Sequence, residues 1–477
     1  MPDSAALPSR QAPIVIVGGG LSGALLAARL LEAPGRRDVL VVDDAGPPGR
    51  GLAYSGRSRL HLVNANAGRM SADPADAAHF TRWLERFVRK GGWPEAPEGP
   101  ASDLFAPRSV YGLYIQEVLA EAVTANARHG RRFEWVRARA ADIEEKRDGL
   151  RVRLSDGSAL AASVAVLATG IFSRSRATDG ARSSRRLLDP WAMDAGDVPG
   201  PEARIAIIGA GLTMVDAVVS LQSAGYRGAI DVVSRHGLRP HPRRLPPDWI
   251  DFLAGRPHLA TARALTRAVR AECEAAMAAG EDWQGPLDTV RAHVGRLWGG
   301  ASDRERRRFL RHVRPFWESH HHRSPPAAGS IVDGLAQAGR LHHLAGEVRA
   351  IDVLGKRPAL TIRLRGTADT SIRVYDAVVV SSGVDYDWRQ VGQALPQNLL
   401  RGGTVRPGPL GLGIDATADY RVVGRGGVAS DRLFALGPPL RGLWWESTAV
   451  ADIARQACEL AAALAATASA LASEDRA

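Results

Sequence analysis

The stretch Ile14-Val15-Ile16-Val17-Gly18-Gly19-Gly20-Leu21-Ser22-Gly23 decides the fold. A second of the same kind stands 191 residues on, Ile205-Ala206-Ile207-Ile208-Gly209-Ala210-Gly211-Leu212-Thr213-Met214. Each sets a short apolar run before a glycine turn and an amphipathic helical pattern, the context in which G-x-G-x-x-G carries meaning. Without a Cβ, the first two glycines allow a tight turn and let backbone N–H groups approach a pyrophosphate. The following helix turns its partial positive end toward that anion. Two such units in one chain predict an α/β protein with two Rossmann-like dinucleotide-binding domains.

Register separates the two sites. Counting 25 residues from Gly18, along the strand pattern Val39–Val42, reaches Asp43; the same count from Gly209, along Ile230–Val233, reaches Ser234, with Arg235 next. This strand end lies beside the adenosine ribose, where an acid accepts hydroxyl hydrogen bonds and an arginine accommodates a 2′-phosphate. The first site therefore reads as one for FAD (or NAD), the second as one for NADPH, with NADH the alternative. The plainer readings are a turn-forming Asp43 and a solvated Arg235. Gly23 permits close helix–strand packing, whereas Met214 at the equivalent place predicts a helix pushed off its strand.

Composition narrows the class. A chain of 477 residues holds two or three domains, and 45% apolar with 24% charged residues is a globular composition. The net charge of +11 comes largely from arginines spread through helical patterns. They are not gathered with stacking aromatics, which argues for phosphate-rich cofactors and against nucleic acid. No apolar run reaches the ~20 residues of a membrane span, and no basic-apolar-small leader opens the sequence. A cytoplasmic protein with no membrane partner is expected. Cys273 and Cys458 stand 185 residues apart, which leaves neither an adjacent cysteine pair for disulfide chemistry nor a clustered-cysteine metal site. No metal is expected. Met1–Gln11 reads as a polar arm without fixed structure, and Ala461–Ala472 as part of a terminal helix.

Strand patterns at Phe133–Ala138, Leu150–Leu154 and Val164–Ala168 lead to Ala168-Thr169-Gly170, a turn that brings Gly170 near the first dinucleotide. Residues 171–203 read as a linker. The second unit continues through a basic, proline-studded run at 237–247, helical patterns from Trp249 to Trp317, and a turn at His320-His321-His322-Arg323-Ser324-Pro325-Pro326. Strand patterns resume at Glu347–Val353, Leu360–Leu364 and Ala377–Val380, the last ending in Ser381-Ser382-Gly383. The expected domains are 12–185 as the first part of an FAD-binding domain and 200–340 as an NAD(P)-binding domain with a helical insert at about 249–317. Residues 341–465 complete the first domain, so that the NAD(P) domain is inserted into the FAD domain.

A family resemblance rests on Gly46-Pro47-Pro48-Gly49-Arg50-Gly51-Leu52-Ala53-Tyr54-Ser55, His61-Leu62-Val63-Asn64-Ala65 and Gly68-Arg69-Met70-Ser71. Gly211–Asp216, Trp317–Arg323 and Trp445-Glu446-Ser447-Thr448-Ala449-Val450 extend it. Most of residues 12–460 resembles the bacterial FAD/NAD(P)-binding proteins that include a flavin-dependent urate hydroxylase. The architecture is similar to that of N-hydroxylating and Baeyer–Villiger flavin monooxygenases. The resemblance implies that Gly18, Gly20, Gly23 and Asp43 hold the FAD pyrophosphate and ribose, and that Arg50, Asn64 and Met70 lie near the flavin ring. It further implies that Thr448 to Val450 open a helix aimed at the ring's pyrimidine edge. Gly437-Pro438 stands where related flavoproteins have Gly-Asp, so the ribityl contact falls to Glu446 or Ser447. Gly209, Gly211, Thr213, Ser234 and Arg235 would hold the nicotinamide dinucleotide.

The activity so implied is an FAD-dependent, NAD(P)H-using monooxygenase. It would hydroxylate a small polar or heterocyclic molecule, or an amine, with dioxygen. The rivals are a flavin reductase serving a protein or quinone acceptor, and a non-catalytic dinucleotide-binding protein. The catalytic candidates are His320, His322 and Arg323, since histidine relays protons near neutral pH and arginine holds an anionic substrate or phosphate; the alternative is a basic turn. Trp317, Trp444 and Trp445 either line a flat-ring pocket or fill the core. Oligomeric state is left open.

Overall fold

The computed structural model describes residues 12–474 apart from 57, 127–129, 174–185, 192, 194–196, 198–199 and 257–260, with backbone only from 467 onward. The arm at 1–11 and much of the expected linker lie outside the described residues. In the first half, β1 (Ile14–Val17), α1 (Leu21–Glu32) and β2 (Val39–Val42) precede an excursion through α2 (Gly51–Tyr54), α3 (His79–Arg89) and α4 (Arg108–Asn126). There follow β3 (Phe133–Val136), a meander of β4 (Ala140–Lys146), β5 (Gly149–Leu154) and β6 (Ala159–Ala162), and then β7 (Val164–Leu167). The chain crosses over through β8 (Phe172–Ser173) and β9 (Leu187–Leu188).

The second half repeats the plan with β10 (Ile205–Ile208), α5 (Leu212–Ser223) and β11 (Ile230–Ser234). Its excursion carries α6 (Ala262–Ala278), α7 (Gln284–Val290), α8 (Val294–Gly300), α9 (Asp303–Arg308), α10 (Arg314–His320) and α11 (Pro326–Gln337). Then come β12 (Leu341–Leu354), β13 (Arg357–Leu364), β14 (Thr370–Val374) and β15 (Ala377–Val380). The chain returns through β16 (Val384–Asp385) and α12 (Ala394–Gly402) to β17 (Arg421–Val423), β18 (Ala429–Ala435) and α13 (Val450–Glu474).

Two mainly parallel sheets result, ordered β17-β18-β7-β1-β2-β3 and β14-β13-β12-β11-β10-β15-β9. Their central strands, β1, β2, β7 and β10, are buried at every residue. This is why they read as unbroken apolar runs instead of alternating ones. The pair β8–β16 marks the crossing, with Phe172 opposite Asp385 and Ser173 opposite Val384.

Two boundaries move from where the sequence puts them. The strands of 341–380 belong to the second sheet: β12 pairs with β11, Leu341 opposite Ile230, and β15 pairs with β10, Ala377 opposite Ile205. The second half therefore runs to Val380 instead of ending at 340. The physical reason is that each sheet closes when the strand before its small-residue turn lies beside its glycine strand, β7 on β1 and β15 on β10. Among the described residues, the helices of the insert begin at Ala262 instead of Trp249. Pro246 and Pro247 offer no N–H for a helix, and Thr261 Oγ1 accepts from Ala264 N–H at 3.1 Å to cap α6. Met214 is wholly buried in the second-half core beside Ile207, Val218 and Val332.

Candidate functional site

The two glycine turns are alike in backbone. Gly18 has φ +108°, and a Cβ there would lie 2.3 Å from the Ala168 carbonyl oxygen; Gly209 has φ +103°, with the Ser381 oxygen at 2.1 Å. A side chain at Gly23 would come within 1.9 Å of Gly18 O. Only glycine fits these positions. Gly20 and Gly211 are the N-cap residues of α1 and α5, and neither helix has a side-chain cap. Their first-turn N–H groups, Thr213 among them, remain available to an anion.

Asp43 follows β2, and its Oδ2 accepts from Gly19 N–H at 2.6 Å while Oδ1 accepts from Ala45 N–H at 2.7 Å. Arg50 precedes α2, and its Nε donates to Gln116 Oε1 at 3.0 Å. Gly170 has φ +69°, with nothing within 4 Å of its would-be Cβ. Gly437, φ +75°, would drive a Cβ to 2.4 Å from Ser22 Oγ, and its N–H donates to Gln456 Oε1 at 3.1 Å. Thr169 Oγ1, Ser447 Oγ and Gln456 Nε2 are buried with no hydrogen-bond partner. Bare helix ends, a glycine-lined approach and orphaned polar atoms together fit an elongated dinucleotide.

The second strand end has the opposite charge. Ser234 Oγ accepts from Gly237 N–H at 3.1 Å. Arg235 is exposed and makes no ion pair or side-chain hydrogen bond among the described residues. Arg365 Nη1 lies 2.9 Å from His236 Nδ1 beside it, a contact between distant segments that sequence reading missed.

A cleft of about 930 Å³ separates the halves. Asn64 and Met70 line it from the first half, Leu212, Arg243, His321 and His322 from the second, and Glu446 and Thr448 to Val450 at the start of α13. Asn64 O accepts from Arg243 Nε at 2.9 Å, Met70 O from Tyr111 OH at 3.0 Å, and Thr448 Oγ1 from Arg441 Nη1 at 3.1 Å. Three guanidinium groups converge on one carboxylate at its edge. Arg323, wholly buried, donates to Asp288 and Gln284. Arg243 Nη1 lies 3.8 Å and Arg69 Nη1 3.3 Å from Asp288. Burial and the Arg323 charge bring Arg243 down to about 10. Arg291 bridges Glu446 at 2.8 Å and Asp452 at 2.6 Å. Arg108 Nη2 lies 3.0 Å from Asp216 Oδ2 and ties α4 to α5 across the halves; burial raises Asp216 against that pairing.

The histidine run is divided by the fold. His322 Nδ1 lies 3.0 Å from Glu318 Oε2, and Arg314 Nε donates to Glu318 Oε1 at 3.1 Å. Against burial, the His322 hydrogen bond and the charges of His322, Arg441 and Arg314 hold Glu318 well below the carboxylate range. An ionised Glu318 assigns the proton to Nδ1 of His322 and leaves Nε2 as its other nitrogen. His321 stacks on Trp317 with centroids 4.1 Å apart. Burial first, then the charges of His322, Arg291, Arg323 and Arg243, push it well below the usual histidine value. His320 instead faces a second cavity, packed against His241 at 4.6 Å and Trp283 at 5.5 Å. Of the three catalytic candidates only His322 reaches the cleft: His320 is on the other side and Arg323 is spent on Asp288. Ligand atoms of His321, His322 and Glu446 lie within 4.8 Å of one another. A cation there would meet Arg291, already paired with Glu446, and the Arg243 and Arg323 charges.

The second cavity, about 770 Å³, lies among α6 to α10 and takes in Trp317 and Trp445, whereas Trp444 packs on Tyr420 at 5.3 Å. Cys273 lines this cavity, its thiol raised to about 11 by burial, and Cys458 lies on α13. Neither lines the interdomain cleft.

The profile of an FAD-NAD(P)-binding family matches residues 15–172. No curated protein matches the chain by sequence. Among solved structures, the reduced form of an ornithine hydroxylase from Pseudomonas aeruginosa is similar with a TM-score of 0.63 at 17% identity, over 95% of this chain and 98% of that one. An L-lysine 6-monooxygenase from Pseudomonas syringae has a TM-score of 0.63 at 16% identity, over 96% and 100%. A cadaverine monooxygenase from Erwinia amylovora, bound to FAD, has 0.59 at 12%, over 94% and 92%. The chain shares their fold along nearly its whole length. No helix among the described residues is long and apolar enough to cross a membrane.

Proposed function

We propose that this chain is an FAD-dependent, NAD(P)H-using monooxygenase that hydroxylates a small organic molecule in the cleft between its halves. The observation that carries the reading is that Leu212, which opens α5 after the second glycine turn, and Val450, which opens α13 in the first half, line the same cleft. Nucleotides held by the two halves thus reach one space. FAD, when bound, supplies the relay of electrons from nicotinamide to dioxygen, and the protein does the remaining work.

The uncapped start of α1 receives the pyrophosphate, Asp43 the ribose hydroxyls, and the orphaned Ser447 Oγ and Gln456 Nε2 meet the rest of the cofactor. The start of α13 directs partial positive charge into the cleft. Exposed Arg235 favours the 2′-phosphate of NADPH. Arg69 and Arg243 outnumber the charge left on Asp288, and so hold a substrate carboxylate or a nicotinamide phosphate. His322, oriented by Glu318, takes or delivers a proton at Nε2. No cysteine lines the cleft, which favours oxygen over a disulfide as electron acceptor. The reacting group we assign is an amine nitrogen, as in the ornithine, lysine and cadaverine enzymes of similar fold.

The test is to record the visible spectrum of the purified protein, follow anaerobic bleaching with NADPH and with NADH, then admit air with an amine and look for a hydroxylamine. The expected result is a yellow protein, faster bleaching by NADPH, and product. A colourless protein that gains no flavin overturns the reading, and hydrogen peroxide matching all the NADPH consumed with every amine tried replaces it with a reductase.

A further inference from the structure

The insert carries a second, half-open cavity, whose wall residues neighbour those of the cleft in sequence. Its walls are apolar and aromatic, with Leu265, Val269, Leu297, Trp283, Trp298 and Phe309 among them. Charge enters at the exposed Arg270 and Glu274, at Arg306 and at the buried Glu305, the last two paired with Asp303 and Arg308. A space of about 770 Å³ with such walls matches those that bury small ligands.

Neighbouring residues of one chain segment face opposite sides of a shared partition. Leu287 and Val290 line the chamber, Asp288 and Arg291 the cleft; Trp317 and His320 line the chamber, His321 and His322 the cleft; Trp445 lines the chamber, Glu446 the cleft. The partition includes the Trp317–His321 stack, two rings 4.1 Å apart and inclined by 15°, one facing each cavity. Within it, Trp317 Nε1, Trp445 Nε1 and His321 Nδ1 are buried and have no partner.

We infer that the chamber takes the non-reacting body of the substrate, an aryl or extended alkyl group, while the reacting end crosses the Trp317–His321 partition into the polar cleft. The substrate class is thus an arylalkyl amine, in place of a compact diamine or amino acid. This deepens the proposed function and rests on it for the identity of the reacting end. An apolar body gains by leaving water for these walls. A second ammonium or carboxylate placed there loses its hydration against mostly apolar walls, and the charges nearest it, Glu305 and Arg306, are already paired with Arg308 and Asp303. The orphaned ring nitrogens belong to this dividing wall, and His321 Nδ1 there is an unused hydrogen-bond acceptor for an amine.

The experiment uses the full-length, flavin-loaded protein and two probes, 4-phenylbutylamine and 1,4-diaminobutane, with binding followed by calorimetry. The phenyl compound is expected to bind at least about tenfold more tightly. Val269→Trp, which fills the chamber, should erase that advantage, leaving diaminobutane binding and anaerobic bleaching by NADPH unchanged. If V269W fails to fold, Thr266→Phe narrows the same wall and serves in its place. Equal binding of the two probes overturns the inference, as does a folded chamber-filling variant that keeps the preference. Failure of the proposed function is separately visible as a flavin that NADPH does not bleach, since probe binding is read without turnover.

Discussion

The two halves place the same backbone device in opposite electrostatic settings. In each, a buried strand runs into a glycine near φ +105°, whose missing Cβ makes room for the carbonyl at the end of the closing strand. They part at the third position of the turn, where the first half has no space for any side chain at Gly23 and the second buries Met214 in its core. They part again at the end of the second strand, Asp43 against Ser234-Arg235. Their sheets differ too: β3 stops at Val136 and the meander forms its own sheet, whereas β12 runs on from β11 into β13. The excursions differ most. The first packs Phe80, Trp83, Tyr111 and Tyr114 into solid core, while the second leaves a chamber and sends charged residues to the cleft. Positions where backbone meets backbone are fixed by sterics. Those that face open space at the strand ends and the cleft are free to differ, and under the proposed function they set specificity.

The comparison breaks most visibly at Gly23. Gly23→Ala sets a methyl 1.9 Å from Gly18 O. The variant should lose most of its flavin absorbance and about 1–3 kcal/mol or more of stability. Met214→Ala, at the matching place, should cost about 2–5 kcal/mol by leaving a cavity and yet stay yellow. A G23A protein with the wild-type ratio of visible to ultraviolet absorbance would falsify the assignment of the first turn to flavin. At the other strand end, Arg235→Ala should lower kcat/KM for NADPH roughly tenfold to a hundredfold by removing a charge-assisted contact. With NADH little should change. Equal losses with both nucleotides would end the argument for a 2′-phosphate site. In the second excursion, Glu318→Gln removes the carboxylate that orients His322. We expect roughly a tenfold fall in kcat, unchanged KM for NADPH, and a shifted pH profile; an unmoved profile takes the proton-relay role away from His322.

Much of this was legible because it is local. Four-residue apolar runs and glycine turns lie next to each other in sequence, and counting along them reached Asp43 and Arg235. Strand patterns, however, do not state which sheet they join: by pattern β12 to β15 read as part of the first half, whereas pairing sets Leu341 opposite Ile230 in the second. The run His320-His321-His322-Arg323 reads as one cluster, yet α10 ends at His320, and the chain turns so that successive residues face a chamber, a cleft and the core. The cationic edge is illegible in the sequence for another reason. Arg69, Arg243, Asp288 and Arg323 come from four separate segments, and nothing local announces that they meet.

The smallest effect isolates the partition itself. His321 is held neutral, because its burial and the surrounding guanidinium groups oppose a proton. The unfolded chain offers an ordinary histidine, with a pKa near ~6.5. As pH falls through that value the unfolded state binds the proton and the folded state does not, so this part of the stability is complete above it and is lost on acidification. His321→Phe keeps a ring against Trp317 and removes the titrating group. Its melting temperature should therefore fall less than the wild type's between about pH 7 and pH 5, by up to one proton's contribution to the slope. Parallel curves for the two proteins would mean that His321 takes up a proton in the folded state. The partition would then be a charged wall, a poor passage for an apolar chain.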